Sequence, residues 1–138
     1  MGYPKKPVVL VVDDTIANIR ILDDLLRGEY TVRVATNGAT ALGLALSEPR
    51  PDIVLLDIMM PEMDGYEVCR RLKSDPLTSN IAVVFITAMG NEEHEAKGLD
   101  LGAVDFIAKP FQPRLVRARV SNHVALKKYN DELNSLVK

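Results

Sequence analysis

A short apolar run that ends in an aspartate places the strongest constraint on what this chain can fold into. Residues 53–56 read IVLL and lead directly into Asp57, and proline, aspartate and glycine follow by residue 65. A continuous apolar run of this length, bounded by turn residues, is typical of a strand that is buried on both faces. Such strands belong to parallel sheets, and ligands bind beyond the carboxyl ends of those strands. Asp57 is therefore a candidate functional residue.

Four other strand patterns alternate with helical patterns along the chain. The predicted strands cover residues 8–12, 30–35, 53–56, 81–86 and 104–108. Helical patterns begin after a predicted N-cap at Thr15, after 37–38, after Gly65, at 91–93 and near Pro113. Repeated strand–helix units predict a parallel sheet with helices on both faces. A chain of 138 residues is long enough for one such α/β domain and too short for two ordinary ones.

The composition narrows the class of protein. A chain that is 47% hydrophobic and 26% charged is typical of a globular protein rather than a disordered one. The longest apolar run, 81–86, is much shorter than the roughly 20 residues of a membrane-spanning helix. The single cysteine, Cys69, cannot form an internal disulfide, which favours a cytoplasmic location. We expect Cys69 to be a buried structural thiol, and His94 and His123 to be surface residues.

Polar side chains stand at the ends of four of the five predicted strands. Asp13 and Asp14 follow the first strand, Asp57 the third, Thr87 the fourth and Lys109 the fifth. Because the carboxyl ends of parallel strands meet at one edge of a sheet, we expect these side chains to share a crevice. Singly, the aspartates of the first strand fit helix N-caps, the threonine a turn and the lysine the surface. The prediction of a functional site depends on the whole set.

The chemistry of this set favours phosphoryl transfer. Crowded carboxylates repel one another unless a cation compensates them, and hard oxygen ligands suit Mg²⁺. Lys109 offers a positive charge to a phosphoryl oxygen, and Thr87 offers a hydrogen-bond donor. We therefore predict that Asp57 is a nucleophile that forms an aspartyl-phosphate.

The motifs VVDD at 11–14, LLDIMMPEMDG at 55–65, ITA at 86–88 and GAVDFIAKPF at 102–111 carry a family resemblance. In these motifs the chain resembles the receiver domains of response regulators in two-component signalling. The resemblance implies a flavodoxin-like fold with strand order 2-1-3-4-5. It also implies that the phosphoryl donor is a sensor histidine kinase or a phosphotransfer protein.

The resemblance further implies the metal ligands. Asp14 and Asp57 would bind Mg²⁺ directly together with the backbone carbonyl of Met59, and Asp13 would act through water. Met59 and Met89 occupy positions that vary in the family and tune the lifetime of the phosphoryl group. Since neither side chain can position a water by hydrogen bonding, we expect slow self-dephosphorylation.

The phosphate-binding and switch residues also follow from the resemblance. Thr87 and Lys109 would bind the phosphoryl group, and the Lys109–Pro110 peptide bond would be cis. In the family, Thr87 moves to the phosphate while an aromatic ring at the place of Phe106 turns inward, which changes the surface of helix 4, strand 5 and helix 5. Phe106 lacks the hydroxyl of a tyrosine, so we expect its ring to be stable inward without phosphate. A plain core residue is the alternative interpretation.

The last helical pattern is longer than the sheet can cover. Residues 113–137 contain no helix breaker after the first, and one helix of this length would span about 36 Å, about twice a five-residue strand. Its apolar residues after the domain are spaced three, four and three apart: Leu126, Tyr129, Leu133 and Leu136. This spacing predicts a short coiled-coil seam, with an amphipathic tail as the alternative. We assign 1–125 to the receiver domain and 126–138 to a helical extension. We expect a receiver cut from a larger protein with an output domain, with a single-domain regulator as the alternative.

Several partners and activities compete with this interpretation. A homodimer could form through helix 4, strand 5 and helix 5, or through the C-terminal helix. The basic residues of the last segment lack interleaved aromatics, so we expect no direct binding to nucleic acid, and we expect no membrane partner. The alternative function is a stand-alone Mg²⁺-dependent phosphohydrolase with an Asp nucleophile. Members of that class carry a D-x-D motif on the first strand, whereas the candidate nucleophile of this chain is on the third strand. We therefore expect a switch rather than a turnover enzyme.

Overall fold

Five parallel strands and five helices alternate along the chain in the computed structural model, which describes residues 6–88 and 92–137. The strands are β1 (Val8–Val12), β2 (Thr31–Ala35), β3 (Ile53–Asp57), β4 (Ala82–Ala88) and β5 (Asp105–Lys109). The helices are α1 (Ile16–Leu26), α2 (Gly38–Ala45), α3 (Gly65–Ser74), α4 (Glu92–Asp100) and α5 (Pro113–Val137). The strand order is β2-β1-β3-β4-β5. This confirms the flavodoxin-like order and the extended last helix.

Alternation along the central strands builds a core on each face of the sheet. Successive side chains of a strand point to opposite faces, and every residue of β1 and β3 is buried. One face packs against α2 and α3 through Leu10, Val12, Val54, Leu56, Ala41, Val68, Cys69 and Leu72. The other face packs against α1 and α5 through Val9, Val11, Leu55, Leu22, Leu26, Val116 and Val120. The buried position of Cys69 confirms its structural role.

β4 and β5, whose carboxyl ends bear Thr87 and Lys109, end later than the sequence predicts. β4 continues two residues beyond the predicted end at 86, because Thr87 pairs with Ala108 and Ala88 pairs with Lys109. Thr87 and Lys109 are therefore parts of their strands rather than residues that follow them. An apolar run indicates where a strand is buried, but it does not show how far the pairing with a neighbour extends.

Side chains cap the starts of two helices, but the N-cap that the sequence predicts for α1 makes no such bond. Asn37 and Asp64 cap α2 and α3, accepting hydrogen bonds from the backbone N–H groups of Thr40 at 2.8 Å and Glu67 at 3.0 Å. Thr15 occupies the predicted N-cap position of α1, but its side chain makes no capping hydrogen bond. Its backbone N–H instead donates to Asp13. The carboxylate at the end of β1 therefore fixes the entry into α1.

The prediction of a surface position for His123 is wrong. The side chain of His123 is only 16% exposed, and its Nε2 lies 2.9 Å from Oδ2 of Asp105. β5 is an edge strand, and α5 packs beside it so closely that its histidine meets the first residue of the strand. The side chain of His94 lies outside the described part of the structure. Among the described residues, no helix is both long and apolar enough to cross a membrane.

Candidate functional site

Three carboxylates meet at the carboxyl edge of the sheet. Asp57 ends β3 and is 3% exposed, and Asp13 follows β1 and is fully buried. Asp14 is exposed beside them. One oxygen from each carboxylate lies within 4.8 Å of the others. The topology thus brings together the three aspartates that the sequence predicts to share a site.

Lys109 lies between the two buried carboxylates. Its Nζ is 3.4 Å from Oδ1 of Asp57 and 3.7 Å from Oδ2 of Asp13. The lysine ends β5, two strands away from β3 in the sheet. The Lys109–Pro110 peptide bond is cis, the geometry that the resemblance implies. A single ammonium group therefore faces two buried negative charges.

The hydrogen bonds of Asp13 include one that the sequence did not indicate. Oδ1 of Asp13 accepts the backbone N–H of Thr15 at 2.9 Å. Oδ2 accepts Nδ2 of Asn18 at 3.1 Å. Asn18 is the third residue of α1, so a polar residue in the first turn after the strand end was the available signal. The two bonds reach different oxygens and orient the carboxylate.

The charge balance of the site raises the pKa of Asp57 to about 6. Burial is the main cause, and the negative charge of Asp13 adds to it, while Lys109 opposes the shift. A raised pKa means that the ionised form lacks sufficient compensation. The donor set supplies hard carboxylate oxygens, which a divalent cation such as Mg²⁺ prefers. Both the charge and the ligand type therefore fit a cation at this edge.

Most of the predicted site residues line one cleft at this edge of the sheet, which has a volume of about 530 Å³. Asp14, Asp57, Met59, Thr87 and Lys109 all contribute to its walls. Thr87 is buried, and its hydroxyl donates to the carbonyl of the next residue at 3.2 Å. The side chain of Met59 is exposed. Met89, the second residue of the lifetime prediction, lies outside the described residues.

A glycine explains how the loop after Asp57 is held. The backbone N–H of Gly65 donates to the carbonyl of Ile58 at 2.9 Å. A Cβ atom at Gly65 would lie 2.3 Å from the carbonyl oxygen of Asp57. Only a residue without a side chain allows the first turn of α3 to pack against the end of β3. The Asp-Gly pair of the sequence motif therefore positions the phosphoacceptor candidate.

Phe106 lies in the core rather than on the surface. It is 8% exposed, and its ring stacks on Phe85 with 6.0 Å between the ring centroids. Its backbone faces the open edge of the sheet, where the N–H donates to Oδ1 of Asp105 at 2.7 Å and the carbonyl accepts a hydrogen bond from Arg119. The inward ring agrees with the expectation for a phenylalanine at this position. The contacts of Asp105 and Arg119 were not predicted.

Comparison with known proteins decides the family. Residues 9–121 match the response regulator receiver domain. The chain belongs to this family. This receiver domain is 48% identical over 126 residues to the response regulator PleD of Caulobacter vibrioides. The match covers 91% of this chain and 28% of PleD. It is 42% identical over 125 residues to a Vibrio cholerae protein named a probable cyclic di-GMP phosphodiesterase, and covers 28% of that protein.

Solved structures of receivers superpose on this fold. A crystal structure described as a response regulator from Chloroflexus aurantiacus has a TM-score of 0.84 and 36% sequence identity, and the match covers 88% of this chain and 99% of that one. The chain spans just over a quarter of the length of the two curated relatives named above. Receiver domains of response regulators act as phosphorylation switches in two-component signalling. That general role applies to this chain.

Proposed function

We propose that Asp57 accepts a phosphoryl group from the phosphohistidine of a sensor histidine kinase or a phosphotransfer protein. The main support is the position of its carboxylate, which is buried at the end of β3 with Lys109 at 3.4 Å. In the transfer, a carboxylate oxygen of Asp57 forms a bond to phosphorus as the bond between phosphorus and the histidine nitrogen breaks. The ionised form is the nucleophile. The name of PleD as a response regulator also supports this role.

We propose that Mg²⁺ is the cofactor. Asp14 and Asp57 would hold it directly with the backbone carbonyl of Met59, and Asp13 would act through water. The support is the set of three carboxylate oxygens within 4.8 Å of one another, a donor set that suits a hard cation. When bound, Mg²⁺ would offset the negative charge of the carboxylates and of the phosphoryl oxygens.

Lys109 and Thr87 would bind the transferred group. The ammonium of Lys109 is shared between two carboxylates at 3.4 and 3.7 Å, so a phosphoryl oxygen at Asp57 would compete for it with Asp13. The hydroxyl of Thr87 bonds only to the adjacent carbonyl, at 3.2 Å, among the described contacts. A rotation about one side-chain bond would free it to donate to a phosphoryl oxygen.

The inward ring of Phe106 changes how the switch would work. Because the ring is already buried against Phe85, phosphorylation need not turn it. We infer that the signal passes through the movement of Thr87 and the surface of α4, β5 and α5. That surface, or the C-terminal part of α5, would form a homodimer. On α5 the predicted seam is exposed at Leu126, Tyr129, Leu133 and Leu136.

Phosphorylation in vitro tests the central proposal. We expect purified protein with Mg²⁺ and acetyl phosphate or phosphoramidate to gain one phosphoryl group on Asp57, stable in acid and labile in base. The adduct should be absent from Asp57→Asn and from reactions with excess chelator. Asp24→Asn, which changes an exposed carboxylate of α1, is the matched control and should be phosphorylated like the parent protein.

Two outcomes would contradict the proposal. The first is the absence of an adduct with both the small donor and a histidine kinase or phosphotransfer protein. The second is the release of many phosphates per protein molecule from phosphate esters, which would indicate the alternative of a phosphohydrolase. Once the adduct forms, its decay tests the slow self-dephosphorylation expected from Met59 and Met89. Loss of the group within seconds in the presence of Mg²⁺ would contradict that expectation.

A further inference from the structure

We propose that Asn18 is a positioning residue for the metal site, which it serves by orienting the carboxylate of Asp13. The inference rests on the proposed function of that site. Asn18 is the third residue of α1 and half-buried. Its Nδ2 donates to Oδ2 of Asp13 at 3.1 Å. The amide therefore reaches from the first turn of the helix to the fully buried carboxylate at the end of β1.

Two hydrogen-bond donors fix the orientation of the Asp13 carboxylate. A buried charge is stable only when hydrogen bonds and opposite charges replace the water that it has lost. The backbone N–H of Thr15 donates to Oδ1 at 2.9 Å, and Asn18 donates to Oδ2. Lys109 lies 3.7 Å from the same Oδ2, which is an ion-pair distance beyond hydrogen-bond range. The orientation of Oδ2 therefore depends on Asn18.

The hydrogen bond from Asn18 to Asp13 would matter most when Asp57 is phosphorylated. Lys109 is also 3.4 Å from Asp57 and would be drawn to a phosphoryl oxygen there. Asp13 would then lose part of its opposite charge at the moment when the site carries the most negative charge. The hydrogen bond from Asn18 does not involve Asp57, so it would persist. A neutral amide also leaves the full negative charge of Asp13 available to a cation.

The strength of Mg²⁺ binding is the quantity that this role changes. Groups that orient metal ligands typically contribute 10- to 100-fold in metal affinity. Because Asp13 would act through water rather than as a direct ligand, we expect the lower end of this range. Asn18→Ala should therefore weaken Mg²⁺ binding about 10-fold.

Titration calorimetry of the unphosphorylated full chain with Mg²⁺ alone tests the inference. A purely structural role predicts that Asn18→Ala leaves Mg²⁺ affinity unchanged and only lowers the thermal midpoint, because a donor to a buried carboxylate is lost. The matched control is Asn37→Ala, which removes the N-cap of α2 and should lower the thermal midpoint without changing Mg²⁺ affinity. Asn18→Gln keeps the amide and should recover most of the affinity.

The outcomes separate this inference from the proposed function. Weak binding by Asn18→Ala, with parent-like binding by Asn37→Ala and recovery by Asn18→Gln, would support it. Binding by Asn18→Ala within twofold of the parent would overturn it and leave the proposed metal site intact. An equal loss in Asn37→Ala would also overturn it, because general destabilisation would then be the cause. A parent protein that binds no Mg²⁺ would overturn the metal site and this inference together.

Discussion

At the scale of single residues, the proposed phosphoacceptor Asp57 carries a cost to stability. Its carboxylate is almost fully buried beside Asp13, and the pKa is raised from 3.8 to about 6. The folded protein therefore holds a proton on Asp57 more tightly than the unfolded chain does. The resulting penalty is absent well below pH 4, grows as the pH rises from about 4 to about 6, and is complete above that range. Removal of the charge should relieve it.

We predict that Asp57→Asn stabilises the fold in Mg²⁺-free buffer. The shift from 3.8 to about 6 corresponds to a gain of up to about 3 kcal/mol in the free energy of unfolding at pH 7.5, and about one third of that at pH 4.5. Urea unfolding followed by far-UV circular dichroism at the two pH values measures both gains. The expected trend is a benefit that shrinks as the pH falls.

Asp24→Asn serves as the control for this experiment. Asp24 is exposed on α1, 3.8 Å from Arg27, and an exposed ion pair contributes about 0–1 kcal/mol. Its replacement should change stability little and with no comparable trend. A loss of stability in Asp57→Asn at pH 7.5 would show that the pairing with Lys109 outweighs burial and the repulsion from Asp13.

At the scale of elements, one glycine sets the distance between α4 and the aromatic core. A Cβ atom at Gly98 would lie 2.7 Å from the ring of Phe85 and 3.0 Å from the ring of Phe106. These rings stack on each other, so neither can give way without disturbing its neighbour. The helix can therefore lie directly on the inward ring of Phe106 only because residue 98 has no side chain.

We predict that Gly98→Ala destabilises the protein by about 1–3 kcal/mol, because the added methyl group overpacks α4 against the rings. In the absence of that clash, the same change in a helix would add up to about 1 kcal/mol. Gly43→Ala in α2 is the matched control, since nothing lies within 4 Å of a Cβ atom there, and it should stabilise. Urea unfolding compares the two variants; a stabilised Gly98→Ala would mean that α4 adjusts freely.

The elements also show where a local pattern is insufficient. Strand positions agree with the apolar runs to within one or two residues, because burial on both faces leaves a clear pattern. His123 was assigned to the surface because basic residues precede and follow it in sequence. Its side chain instead meets Asp105 at 2.9 Å. Helical spacing shows which residues share a face, but not which strand edge that face covers.

At the scale of the whole molecule, α5 reaches beyond the body that it helps to cover. Val116 and Val120 are buried against the sheet, whereas every residue from 128 to 136 is exposed. Lys127 pairs with Asp52 at 3.6 Å and with Asp131 at 2.7 Å. The first of these ion pairs is the described polar link between the extension and the body, and its lysine side chain is only 12% exposed.

We predict that deletion of residues 126–138 leaves an independently folded receiver. The free energy of unfolding should fall by only about 1–2 kcal/mol, since residues 128–136 are exposed and the largely buried Lys127 loses one ion pair with the body. The urea m-value should change little, because the deleted residues are mostly exposed. Phosphorylation by acetyl phosphate should persist.

Leu133→Glu in the full chain is the companion variant, because it removes an exposed apolar side chain of the seam without shortening α5. If the seam forms the proposed homodimer, light scattering should show a dimer for the parent and a monomer for both variants. A deletion variant that loses cooperative unfolding would contradict the domain boundary after residue 125.

Local sequence patterns were sufficient for the α/β class, for the strands and for the acidic cluster with Lys109, because apolar runs report burial and parallel strands place their ends at one edge. The strand order came from the family motifs, since no run of residues specifies its neighbours. Packing alone decided that Asn18 reaches Asp13 and that His123 meets Asp105. Each of these contacts joins two elements, and the distance between elements depends on how all their side chains fill the core.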